Sequence, residues 1–118
     1  IEWILERFHQ NGRRYDALLE NTPGIKILRR DPLDYQTYWG YTVLVENRNT
    51  VIDALDEAGI DAAQIHVRND RYSMFTSDSR ELPNTDWFDD RELSIPCGWW
   101  LKEDDQARII EILKKVAR

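Results

Sequence analysis

The sequence predicts an α+β domain: a small, mostly antiparallel sheet of three to four strands with helices packed on one face. Three observations carry this. Stretches at both ends place apolar residues at helical spacing, four short apolar or β-branched runs lie between them, and the resulting order is helix, strand, strand, helix, strand, short helix, strand, helix. A chain of 118 residues fits one domain, long enough to bury about two thirds of the surface its unfolded form exposes.

In residues 1–20 the apolar set Ile1, Ile4, Leu5, Phe8, Tyr15, Leu18 and Leu19 falls mostly on one helical face. No N-cap residue precedes the first turn, and Gly12 costs about 1 kcal/mol relative to Ala, which predicts a break there. Thr22, Pro23 and Gly24 end the helix. Residues 25–28 form a short strand candidate and residues 29–34, with Pro32, a charged loop. The run from Trp39 to Val45 is aromatic and β-branched, with Gly40 early and Glu46-Asn47 closing it, so it reads as a strand.

Val51, Ile52, Leu55 and Ala58 follow a helical period, and Gly59 stands where a C-terminal cap belongs. Residues 62–67 have the length and boundaries of a buried strand. Residues 68–82 are polar and irregular, with one helical turn near Tyr72. Pro83 suits the first turn of a short helix running to Arg91, with Trp87 and Phe88 pointing inward. Residues 93–97 make the last strand, which Pro96 either ends or confines to an edge. The closing helix, residues 103–117, carries Glu103, Asp104 and Asp105 at its positive end and Lys114 and Lys115 at its negative end.

With 42% apolar and 32% charged residues, the composition is that of a globular protein with a highly charged surface. Sixteen basic against 22 acidic residues give a net charge of −6, which argues against nucleic acid and anionic membrane as partners, since both are bound through a basic footprint. The single Cys97 excludes an intramolecular disulfide, and with His9 and His66 it offers no zinc-ligand spacing, so no metal is expected and the compartment reads as cytoplasmic. No apolar run approaches a membrane span and no signal peptide is visible. The only methionine is Met74, so Ile1 is not expected to be the start of translation.

The candidate functional segment is the polar stretch between the third and fourth strand candidates, because a loop held at a sheet rim is where binding residues gather. His66 is followed by Arg68, Asn69, Asp70, Arg71 and Tyr72. Two guanidinium forks with an amide and a phenol suit a phosphate; a salt-bridged loop is the plainer reading. His66 alone fits a structural histidine better than a general base. Trp3, Trp39, Trp87, Trp99 and Trp100 fit core or interface positions, and the Trp99-Trp100 pair also fits a ligand platform. The pair Asp89-Asp90 reads as a solvated turn and Cys97 as an inert buried thiol.

Four segments taken together, RNTVIDALDEAGI, IHVRNDRYSMF, LPNTDWFDDRELSIPCGWW and KEDDQARIIEILKK, resemble in order and spacing the C-terminal part of the DegT/DnrJ/StrS family of sugar aminotransferases. RFHQNGRRYDALL is similar to the family's helix leading from its large domain into its small one. The resemblance implies residues 1–20 as that interdomain helix and 21–118 as the C-terminal small domain. It implies a parent that uses pyridoxal phosphate to transfer an amino group to a nucleotide-linked keto sugar, in a homodimer. The Schiff-base lysine and the cofactor-binding residues would then belong to a large domain before Ile1, leaving this chain inactive alone and without catalytic or cofactor-binding residues of its own.

By the same resemblance, His66, Arg68, Asn69 and Tyr72, with Arg71 after them, face the nucleotide end of the substrate. The chain departs from the family where many members have an aromatic, a proline and a second histidine: Val67 and the run RNDRY stand there instead. It departs again at SIPCGWW, where many read Leu-Pro-Leu-His-Pro, and at Lys102, where many have a threonine cap. An alternative from another class is a stand-alone, non-catalytic module binding a nucleotide sugar or a protein.

Overall fold

The computed structural model describes residues 1–75 and 80–118; the 76–79 part of the irregular stretch lies outside the described residues. In chain order the elements are α1 (Glu2–Leu19), β1 (Ile25–Ile27), β2 (Tyr41–Val45), α2 (Arg48–Glu57), α3 (Pro83–Asp89), β3 (Glu92–Ile95) and α4 (Glu103–Val116), with 3-10 turns at Asn69–Arg71 and Ser73–Phe75. The strands form one antiparallel sheet in the order β1-β2-β3. The α+β expectation, a small antiparallel sheet with helices, holds at three strands.

Register fixes which residues face the core. Ile25 and Ile27 pair with Val45 and Val43, and Tyr41 and Val43 pair with Ile95 and Leu93, so one face is an apolar array. Onto it pack Tyr15 and Leu19 of α1, Val51 and Leu55 of α2, and Ile109, Ile110 and Leu113 of α4, all buried. Burial of this stripe, at about 25 cal/mol per Å² of apolar surface, is what holds the three helices to the sheet. Lys26, Leu44, Glu92 and Ser94 point the other way. Lys26 Nζ lies 5.1 Å over the Trp87 ring, which places α3 above that second face.

The predicted break in α1 does not occur. Gly12 is buried, and a Cβ there would lie 2.2 Å from Tyr38 Cγ, so the glycine serves close packing of an aromatic ring instead of ending a helix. Gly59 does cap α2: at φ +72° it lets Ile60 N–H reach Leu55 O at 2.9 Å and its own N–H reach Asp56 O at 2.8 Å. Gln106 Nε2 ties α4 to α1 by donating to Asn11 O at 2.7 Å, and Asn11 Nδ2 ties α1 to the segment before α4 by donating to Gly98 O at 2.9 Å.

The strand expected over residues 62–67 shrinks to one bridge, Ala63 with Ser94. The outer edge of β3 explains why. Its edge-facing groups belong to Glu92, Ser94 and Pro96. Arg48 Nη1 donates to Glu92 O at 3.3 Å, Tyr15 Oη donates to Pro96 O at 2.9 Å, and Pro96 has no N–H. Only Ser94 offers both groups, and Ala63 takes both, at 2.9 and 3.1 Å.

Candidate functional site

With one bridge made, residues 64–75 are free to cross the second face of the sheet. Gln64 anchors them: its Nε2 donates to Asp89 Oδ1 at 2.6 Å. The turns at Asn69–Arg71 and Ser73–Phe75 then close on backbone bonds from Arg71 N to Arg68 O at 3.2 Å, Tyr72 N to Asn69 O at 3.1 Å and Phe75 N to Tyr72 O at 2.9 Å. Opposite them stands α3, opened by Pro83 in its first turn. Between the two lies a cleft of about 560 Å³ whose lining includes His66, Arg68, Asn69, Tyr72, Thr85, Phe88, Asp89 and Glu92. His66 also borders a smaller cavity of about 270 Å³ shared with Arg30, Tyr38, Trp39 and Thr42.

Four of the five sequence-predicted residues therefore line one cleft. Arg71 does not; its Nη2 instead holds Asp89 Oδ2 at 2.7 Å. The guanidinium of Arg68 is fully engaged, with Nε on Asp70 Oδ1 at 2.9 Å, Nη2 on Asp70 Oδ2 at 2.6 Å and Nη1 on Asp86 Oδ1. Those bonds, Asp70 first, raise the Arg68 pKa, and the same guanidinium holds the Asp70 carboxyl below its ordinary value. The salt-bridged arrangement describes Arg68, each of whose three guanidinium nitrogens meets a carboxylate, while Arg71 commits Nη2 alone, to Asp89.

Sequence reasoning missed Asp89, Thr85, Phe88 and Glu92. Asp89 is not in a solvated turn but 6% exposed, joining the 64–71 segment to α3, while Asp90 is exposed. Trp87 and Phe88 do not point inward. Trp87 is held between cations, Lys26 on one hand and Arg91 at 4.7 Å on the other. The polar alternation Glu92-x-Ser94 against Leu93-x-Ile95 was the available sign that β3 sends acid and hydroxyl to one face.

None of the five tryptophans is in the core. Trp99 packs edge-on against Trp3 and Trp100, with centroids 5.5 and 6.0 Å apart, and Phe8 meets Trp100 in the same way at 6.3 Å, an exposed aromatic cluster beside the start of α1. A second polar cluster was also unforeseen. The Asp16 carboxylate accepts the hydroxyls of Tyr41 at 2.7 Å and Tyr38 at 2.8 Å, with Arg30 Nε at 3.4 Å. Burial and then the bond to Asp16 push the Tyr38 phenol up to about 12 and the Tyr41 phenol further. Cys97 is buried as expected, and burial pushes its thiol up to about 12.

The model of the DegT/DnrJ/EryC1/StrS aminotransferase family matches residues 1–114. The chain belongs to this family. Among solved structures it is similar to the sugar aminotransferase CalS13 from Micromonospora echinospora, at 32% identity and a TM-score of 0.92, and to AtS13 from Actinomadura melliaura, at 31% and 0.91. In both, 97% of this chain is covered and 31% of the other. DesI, solved in the presence of its TDP-sugar product, shares the fold at 20% identity and a TM-score of 0.81, with 95% and 31% covered. The chain thus spans about a third of these proteins.

Enzymes of this family use pyridoxal phosphate. The cleft does not fit that group. A lysine to bind the aldehyde is missing from its lining: Lys26 is exposed against Trp87, Lys102 precedes α4, and Lys114 and Lys115 are exposed in the last turn of α4. Arg68, the arginine in that lining, is committed to Asp70 and Asp86, so a cofactor phosphate finds no free guanidinium there either.

Proposed function

We propose that this chain is the C-terminal small domain of an aminotransferase that uses pyridoxal phosphate to aminate a nucleotide-linked keto sugar. It contributes the wall of the substrate site made by His66, Asn69 and Tyr72, with Arg68 and Arg71 holding that wall in shape through their aspartates. The observation that carries the reading is the likeness over 97% of the chain to 31% of a sugar aminotransferase, together with the convergence of the candidate residues on one cleft.

In this reading α1 continues toward a larger domain that holds the cofactor, the whole works in the cytoplasm as a homodimer, and the cofactor supplies the electron sink for amino transfer. What this chain does is bind and orient. The cleft's apolar rim of Tyr72 and Phe88 excludes water from the ligand, and its polar groups fix the ligand's direction. Mixing the chain with pyridoxal phosphate and reducing with borohydride tests the division of labour. No stoichiometric label should remain on the chain alone, whereas the complete polypeptide should be labelled at one lysine; stoichiometric labelling of one of this chain's four lysines overturns it.

A further inference from the structure

The floor of the cleft is Glu92, 5% exposed and projecting from β3 onto the second face. Among the described residues no hydrogen bond or ion pair reaches its carboxylate, although every other charged group around the cleft is matched: Arg68 by Asp70 and Asp86, Arg71 by Asp89. The strand register puts Lys26 on the same face, but its ammonium is turned to the Trp87 ring. Arg48 donates only to backbone oxygens, those of Asp89 and Glu92.

Its carboxylate oxygens stay open to the cleft, so they can take donors from whatever fills it. Two arginines there, Arg68 and Arg71, stand with four carboxylates, Asp70, Asp86, Asp89 and Glu92, so the local charge is negative in sum; a phosphate would meet repulsion. A neutral ring bearing hydroxyls meets the opposite: O–H donors for Glu92, the amide of Asn69 and hydroxyl of Thr85 beside them, and apolar faces from Tyr72 and Phe88.

Resting on the function proposed above, we infer that Glu92 reads the hydroxyls of an uncharged ring of the ligand, sugar or nucleoside, and that the diphosphate lies outside this cleft. Because a site built to accept a ligand O–H discriminates strongly against groups that lack one, Glu92 is then a specificity-determining residue.

The test is amide-shift titration of the isotope-labelled 118-residue chain with three probes: methyl α-D-glucopyranoside, thymidine and inorganic pyrophosphate. One of the two hydroxylated rings should move the amides of Asn69, Phe88 and Glu92, which also tells pyranose from nucleoside, and pyrophosphate should not. Glu92→Gln should weaken that binding about tenfold or more. It should leave the stability of the fold unchanged, since the carboxylate it replaces opens onto the cleft. Pyrophosphate moving these amides, neither ring moving them, or Glu92→Gln lowering stability while ring binding is unchanged would each overturn the inference. Amino transfer by the complete polypeptide to a nucleotide-linked keto sugar with no ring bound at Glu92 sinks this inference alone; ring binding at Glu92 without such transfer sinks the functional reading alone.

Discussion

Arg71, more than half exposed, reaches across the cleft wall to the buried carboxylate of Asp89, 2.7 Å away. The two ends of this pair are unequal, so their removal should be too. Asp89→Ala leaves Gln64 and Arg71 without their acceptor inside the wall and should cost about 1–3 kcal/mol. Arg71→Ala, the exposed end, should cost under about 1 kcal/mol because Gln64 still satisfies Asp89. Urea denaturation of both variants checks the asymmetry; equal losses contradict it.

Gly12→Ala sets two effects against each other. Helix propensity favours Ala by about 1 kcal/mol. The new Cβ, however, would stand 2.2 Å from Cγ of the buried Tyr38, the base of its ring and not a flexible tip. Overpacking of that kind costs about 1–3 kcal/mol, so the variant should be less stable than the parent chain, by thermal melting. A gain in melting temperature would show that the Tyr38 ring moves freely.

The tyrosine cluster predicts loss of stability at high pH. The Tyr38 phenol rises from 10.0 to about 12 on folding, so the folded chain keeps a proton that the unfolded chain releases. The stabilisation is complete below pH 10 and is lost as pH climbs through 12. Tyr41, raised by burial and by its bond to Asp16, acts in the same direction. The melting temperature should fall over this window, and Tyr41→Phe should flatten part of the fall.

Cys97 should resist thiol reagents in the folded chain. Burial pushes its pKa to about 12, so the reactive thiolate is scarce near neutral pH. Labelling at the rate of global unfolding, read by mass spectrometry against denaturant, is the expected outcome; fast labelling in native buffer contradicts it.

These predictions draw unevenly on what the sequence made legible. The helical stripes of α1, α2 and α4 and the Gly59 cap could be read because a period of 3.6 and a left-handed glycine are local signals. Residues 62–67 could not. Their run is apolar enough for a strand, but whether a strand forms depends on the partner edge, and β3 has that edge taken by Arg48 and Tyr15, residues distant in sequence. At the site, His66, Arg68, Asn69 and Tyr72 were found together because they are neighbours in the chain. Asp89 and Glu92 join them only through folding, and an acidic residue in a charged sequence gives no local sign that it will be buried.

The most direct test of the central claim is amino transfer by the complete polypeptide loaded with pyridoxal phosphate, comparing a nucleotide-linked keto sugar with the same keto sugar free of its nucleotide. Transfer to the linked sugar is expected, with KM raised and kcat less affected in Asn69→Ala and Tyr72→Ala. Equal transfer to both sugars, or full activity in these variants, would contradict the role given to this domain.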